Sequence, residues 1–496
     1  MRESIQVNQS ARLIEEIIMP GMLNDYKICF KELILLNEAY AVMLADRGIL
    51  KREHAGKIIE GLKYVEKTLK PEDLNGEWED IYFNMERNMF KRVGSEIGGR
   101  LHCGRSRNDI NATVQRMEIR KTVWDVLDEL VSFQKLLLEK AEENKDAVMT
   151  GYTHWQPGQP ITLGYYYMCI FNALSRDFDR IKNAYENLNQ SPYGAAAFAG
   201  TGFDIDRQQL SDLLGFDSVM ENCMDCIGSR DYVYDLLSAY SSLAINLSRM
   251  AEDMYFWATF ENGILELGGE IANCSSIMPQ KRNPTTLEYT KGKTGHIIGQ
   301  LMDALVAVKA APYTNNMDIY EAPAAYFTSL TPLHHIMVSI SESVKYTSLR
   351  KDVAIRKAGE NLCTVTSLAD HWVKTEGLSF TQAHDIVGNI VSIIIANGKL
   401  IAGITPELVA AESEKSLGRP IIMTAEELRS VLDPYENVQS KTAFGGPSIV
   451  CMDHMLDKAA NQMNKEELWV NDIKATVAAA YEELDRQAAI LEEENV

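Results

Sequence analysis

The sequence is short of positive charge, of paired metal ligands, of repeats and of unbroken apolar runs. Lysine and arginine number 49 against 70 aspartates and glutamates, a net charge of -21. That balance excludes nucleic acid and an anionic membrane surface as general partners. It leaves room for a small anionic substrate, because cations gather locally around Lys281. The most apolar stretch, Ile386 to Ile404, is broken by Gly388, Asn389, Asn397, Gly398 and Lys399. We read it as a buried helix and turn, and expect no membrane span. Cys223 and Cys226 form a C-x-x-C among 8 cysteines, with no second ligand pair at zinc spacing. They read as reduced thiols near a helix start, so no zinc site is expected. The opening Met1-Arg2-Glu3-Ser4 and the polar residues after it lead us to expect no signal peptide and a cytoplasmic protein. No repeat or low-complexity segment is found.

What is present is helical. A chain of 496 residues, 46% hydrophobic and 24% charged, is long enough for a large core and more than one domain. Leu33, Leu36, Tyr40 and Leu44 share a helix face, punctuated by Gly48 and Pro71, and Asp80 to Arg92 reads as a further helix. Ile119, Val123, Val126, Leu130, Phe133 and Leu137 form a heptad seam. Leu236, Tyr240, Leu243, Leu247, Met250, Met254 and Trp257 form a second. Ile298, Leu301, Leu305 and Val308 form a third. Three such helices imply a bundle that buries its remaining apolar faces against other copies. Short helices follow, with turns at Gly377, Gly398, Gly403 and Gly418. We divide the chain into an N-terminal helical domain (1–109), a central long-helix bundle (110–360) and a C-terminal helical domain (361–496). Glu492 to Val496 reads as a frayed acidic tail.

Four polar stretches carry candidate chemistry. Arg105-Ser-Arg-Asn108 is a donor cluster before a long helix, suited to binding carboxylates or, blandly, a capped helix start. Gly151-Tyr-Thr-His-Trp-Gln-Pro157 puts His154 beside Thr153 in a turn, where a histidine can transfer protons near neutral pH. Taken alone, His154 reads as structural. Asn273 to Gly299 opens with Ser275 and Ser276. Pro279 and Pro284 break any helix between them. Lys281, Arg282 and Asn283 follow, and Glu288, Lys291 and Lys293 sit on a new helix. The fourth stretch is Ala311 to Pro323.

Ser275-Ser-Ile-Met-Pro-Gln-Lys-Arg-Asn-Pro284 resembles the signature loop of the fumarase/aspartase superfamily of lyases. Gln280, Lys281-Arg282 and Lys291-Gly-Lys-Thr-Gly295 are most similar to its argininosuccinate lyase branch. The resemblance implies an all-α, three-domain fold and a homotetramer with active sites shared between subunits. It also implies cleavage of an N-substituted aspartate to fumarate and an amine, with no metal and no cofactor. It nominates Ser275 as the base, His154 as the acid with Glu288 as its orienting partner, and Lys281 beside the base. Ser106, Arg107, Asn108, Thr153, Ser276, Asn283 and Tyr313 become substrate contacts. Counting on from Tyr313, Asp318 and Glu321 stand where that branch has glutamine and lysine. Cys274 replaces the glycine before the serine pair, and Cys103 a threonine. Argininosuccinate is therefore the default substrate, with a diamine mono- or disuccinate as the alternative. An inactive, crystallin-like structural homologue is the non-catalytic reading.

Overall fold

A computed structural model describes residues 9–494. After α1 (Met19–Asp46), α2 (Arg52–Thr68) and α3 (Ile81–Val93) comes α4 (Arg107–Glu143), then the hairpin strands β1 (Val148–Thr153) and β2 (Gln156–Thr162). Next are α5 (Leu163–Leu188), α6 (Asp231–Trp257), the short pair β3 (Asn273–Cys274) and β4 (Arg282–Asn283), α7 (Thr285–Val308) and α8 (Asp318–Lys345). Four shorter helices, α9 (Val365–Glu376), α10 (Phe380–Ala396), α11 (Pro406–Leu417) and α12 (Ala425–Leu432), precede the last long helix, α13 (Ile449–Glu493).

Contacts fix the direction of each bundle helix. Arg116 of α4 lies over the Tyr232 ring of α6 at 4.1 Å, near the start of both. Thr122 and Glu129 of α4 meet Tyr326 and His334 of α8 in the same order. So α4, α6 and α8 run one way. Arg116 donates to the carbonyls of Asn187 and Leu188 at the end of α5. Thr294 of α7 donates to the Ala244 carbonyl of α6 at 3.2 Å. Tyr255, near the end of α6, reaches Glu288 at the start of α7. Hence α5 and α7 run the other way. The 37 residues of α4, at 1.5 Å rise each, make the bundle roughly 55 Å long.

The first two seams are buried throughout. The third is not: Ile298 is 42% exposed and Leu305 40%. Helix α7 turns Leu287, Thr290, Thr294, Ile297 and Ala304 inward instead. Ile298 and Leu305 of the seam, with Tyr289, Met302 and Val306, are exposed, while Leu301 and Val308 pack against the core. A second core cluster joins α1, α2, α3, the start of α4 and Leu484, Ala488 and Leu491 of α13. A third lies among α9 to α12. The expected frayed tail is a correction: Glu492 pairs with Lys63 and Glu494 with Arg52, which anchors the end of α13 against α2. Residues 495–496 lie outside the described residues. The stretch from Ile386 is a buried helix face and turn as expected, and no described helix is long and apolar enough to cross a membrane.

Candidate active site

The sequence-nominated residues gather at the two ends of the bundle. At the start of α4, Ser106 is the N-cap and forms a capping box with Asp109. Asp109 is buried and also accepts from the amides of Gly194 and Ala196 at 3.1 and 3.0 Å. Burial pushes its carboxyl up to about 6. Asn108 donates to the Ala197 carbonyl at 2.9 Å, so the 194–203 loop is tied to the helix start. Arg107 donates to Asp80 at 2.6 Å and Glu79 at 3.4 Å and lies over the Phe83 ring. Arg105 is buried, hydrogen-bonded to Tyr193 at 2.8 Å and set over Tyr40. Its surroundings make it structural here.

Tyr313, Asp318 and Glu321 reach the same end by way of the short helix Cys223–Gly228. The Tyr313 hydroxyl donates to Asp225 at 2.8 Å. Partial burial, then the Asp225 carboxylate, pushes this phenol up to about 12. Gly228 allows the approach, because a Cβ there would lie 2.8 Å from the Tyr313 ring and 3.0 Å from its backbone. Asp318 and Glu321 lie exposed in the first turn of α8, and neither is in an ion pair with another described residue.

His154 lies at the opposite end. Thr153 pairs with Gln156, which leaves His154 and Trp155 as a two-residue hairpin turn. Both sit in the left-handed region, at φ 52° and 57°. Such turns normally take Asn-Gly, and each L-residue held there costs on the order of 1–2 kcal/mol. Trp155 packs on Phe256 at 4.7 Å between ring centres, and Tyr152 meets the same ring edge-on at 5.2 Å. Pairs of this kind contribute about 0.5–1.5 kcal/mol beyond their burial, enough to offset much of the strain. His154 opens onto a cleft of about 670 Å3, lined also by Thr153, Tyr166, Asp253 and Trp257. Tyr166 donates to Asp253 at 2.8 Å, and burial holds that carboxyl above its ordinary range.

The signature loop lies at this same end, because it feeds the start of α7. Residues Asn273 and Cys274 pair with Asn283 and Arg282. The Ser275 hydroxyl oxygen accepts from the amides of Met278 at 3.1 Å and Ile277 at 3.4 Å. Hydrogen bonds to the charged form of an acid lower its pKa. Lys281 gives Ser275 only its backbone carbonyl, at 3.4 Å, and its ammonium has no partner among the described residues. Glu288 accepts from the Tyr255 hydroxyl at 3.5 Å rather than meeting His154. Lys291 pairs with Glu252 over the Tyr255 ring.

The sequence reading missed Asp80, Asp225, Trp155 and Phe256. Only Asp80 carried a signal: an aspartate just before a helical run is an N-cap, and it accepts from the Phe83 amide at 2.8 Å. All 8 cysteines are free thiols, and Cys223 begins the short helix as expected.

Comparison with known proteins defines the class. The family described as Lyase matches residues 8–299, and that described as Argininosuccinate lyase C-terminal matches residues 362–439. The chain is a carbon–nitrogen lyase. It is 34% identical over 490 residues to argininosuccinate lyase 1 of Shouchella clausii, covering 98% of each chain. With the argininosuccinate lyase of Methanococcoides burtonii it shares 37% identity over 453 residues, 90% of this chain and 91% of that one. A crystal structure of EDDS lyase in complex with formate superposes with a TM-score of 0.88 at 27% identity, over 99% of this chain and 97% of that one. The chain belongs to the argininosuccinate lyase branch of the fumarase/aspartase superfamily.

Proposed function

We propose that this lyase works in the cytoplasm as a homotetramer whose active sites are each shared between subunits, on an N-substituted aspartate with a cationic amine end. The observation that carries the shared site is the length of α4. Within one chain, Asn108 and Ser275 stand at opposite ends of a bundle roughly 55 Å long. An antiparallel copy packed on the exposed seam of α7 would bring one chain's anchors to another chain's base. It would also cover an apolar stripe that is costly in water.

In such a site Ser275 takes the proton from the carbon next to a carboxylate, helped by the two amides that favour its alkoxide. The C–N bond breaks as the C=C bond of fumarate forms. His154 supplies the proton that leaves with the nitrogen, oriented by Glu288 of another copy. Lys281, Asn283 and the loop amides meet the charge that develops on the carboxylate. Ser106, Arg107, Asn108, Thr153 and Ser276 anchor the substrate, whose carboxylate must compete with Asp80 and Glu79 for Arg107. Tyr313, Asp318 and Glu321 face the amine end.

Carboxylates at 318 and 321 repel the α-carboxylate of arginine and pair with an ammonium. The likeness to EDDS lyase supports a substrate other than argininosuccinate. A local reading competes, since acids in the first turn of α8 also gain about 0.3–1 kcal/mol from the helix dipole. Fumarate release decides between them. The kcat/KM for aspartates N-substituted by simple diamines should exceed that for argininosuccinate. Ordinary lyase efficiency on argininosuccinate, with none on the diamine adducts, contradicts the cationic amine.

A further inference from the structure

We propose that Trp155, seated on Phe256, is a positioning residue for His154, an inference that rests on the reading of His154 as the proton donor. A hairpin turn of two residues with both in the left-handed region is ordinarily made by asparagine and glycine. His154-Trp155 holds that shape at φ 52° and 57°, and a bulky aromatic is among the residues least at ease there. Nothing in the turn's own chemistry selects it. What selects it is a tertiary contact with α6. The indole rests on Phe256 in the last turn of α6, with 4.7 Å between ring centres. Tyr152 braces the far side of that contact, edge-on to Phe256 at 5.2 Å. Its hydroxyl accepts from Asn262 at 3.1 Å. Tyr152 and Trp155, on either side of Thr153-His154, thus hold one and the same Phe256 ring, and His154, the residue before Trp155, lines the cleft. Trp155 lines that same cleft while remaining 48% exposed.

A strained turn held by a distant ring is a device for precision. A proton donor displaced by about 1 Å loses on the order of 100-fold in rate. Glycine enters the left-handed region freely, so Trp155→Gly keeps the turn and removes the brace. The test compares the full-length wild type with Trp155→Gly, Trp155→Phe, Phe256→Ala, the Gly/Ala double variant and His154→Asn. Fumarate release is read across pH, with Tm alongside and crystal structures of wild type and Trp155→Gly.

We expect Trp155→Gly to lower kcat about 100-fold with KM changed less than about threefold, Tm unchanged, and the imidazole displaced. Trp155→Phe should recover most of the rate. Phe256→Ala should match Trp155→Gly, and the double variant should be no worse than either, since the rings act as one unit. The idea is overturned if Trp155→Gly keeps kcat within about threefold, if its loss merely tracks Tm, or if the imidazole does not move. A large loss in His154→Asn would in that case leave the acid assignment standing. Full activity in His154→Asn removes that assignment, and the positioning role with it.

Discussion

At the start of α4, Asp109, Asn108 and Arg107 are each engaged by another residue of the same chain, while Asp318 and Glu321 at that end stay exposed. Asp109 accepts from the Gly194 and Ala196 amides, Asn108 holds the Ala197 carbonyl and Arg107 is paired with Asp80. At the other end, the Lys281 ammonium has no partner among the described residues and Ile277 is 82% exposed. His154 sits there in a strained turn. The start of α4 is finished within the chain, which suits the proposed anchoring of an anion. The other end is open, and an alkoxide in open water gains little from two amides. The contrast fits the proposed shared site, in which a second copy dries and covers the Ser275 end.

The sharpest way to break the comparison is to disable each end in turn. Ser275→Ala should lower kcat by about 1,000-fold or more with fold and assembly intact, because one hydroxyl on a loop is lost. Activity within about tenfold of wild type removes Ser275 as the base. Asn108→Ala should act more weakly, raising KM by about tenfold or more with less effect on kcat. If Asn108→Ala depresses kcat and Ser275→Ala raises KM, the division between anchoring and chemistry is wrong.

A smaller effect sharpens the description of the finished end through its pH dependence. Glu38 of α1 is buried, and that burial pushes its carboxyl up to about 8 from an ordinary 4.5. Its folded pKa is raised, so its contribution to stability is fully present below about pH 4.5 and is lost as pH rises through about 8. The Tm of the wild type should therefore fall by a few degrees between pH 5 and 9, and Glu38→Gln should flatten that fall. An unchanged slope in the variant contradicts the burial argument.

The helices were legible because their seams obey a fixed period. Leu236 to Trp257 needed nothing but spacing to be placed in the core. The third seam had the same spacing, yet Ile298 and Leu305 face out of the chain. Periodicity reports that a face is apolar and not what covers it. The acid tail was misread because Glu492 and Glu494 find Lys63 and Arg52, over 400 positions away in sequence. The hairpin turn at His154 was legible only as a turn. Its residues violate the local preference that would have disclosed its geometry, and the aromatic brace that permits the violation is a tertiary contact. The nominated residues were read from the family motif. Their division between two ends was not, because it depends on which way each helix runs.

The most direct test of the claim that both ends meet only between copies is to mix Ser275→Ala with Asn108→Ala. Each variant is prepared alone, its residual rate at limiting substrate is measured, and it is then unfolded and reassembled with the other in equal amounts. If Asn108 and Ser275 of one site come from different chains, random assembly gives about one site in four with both residues intact. Fumarate release should then return to roughly a quarter of the wild-type rate. If both residues of a site belong to one chain, every site in the mixture carries a defect, and activity that stays at the level of the separate variants contradicts the account.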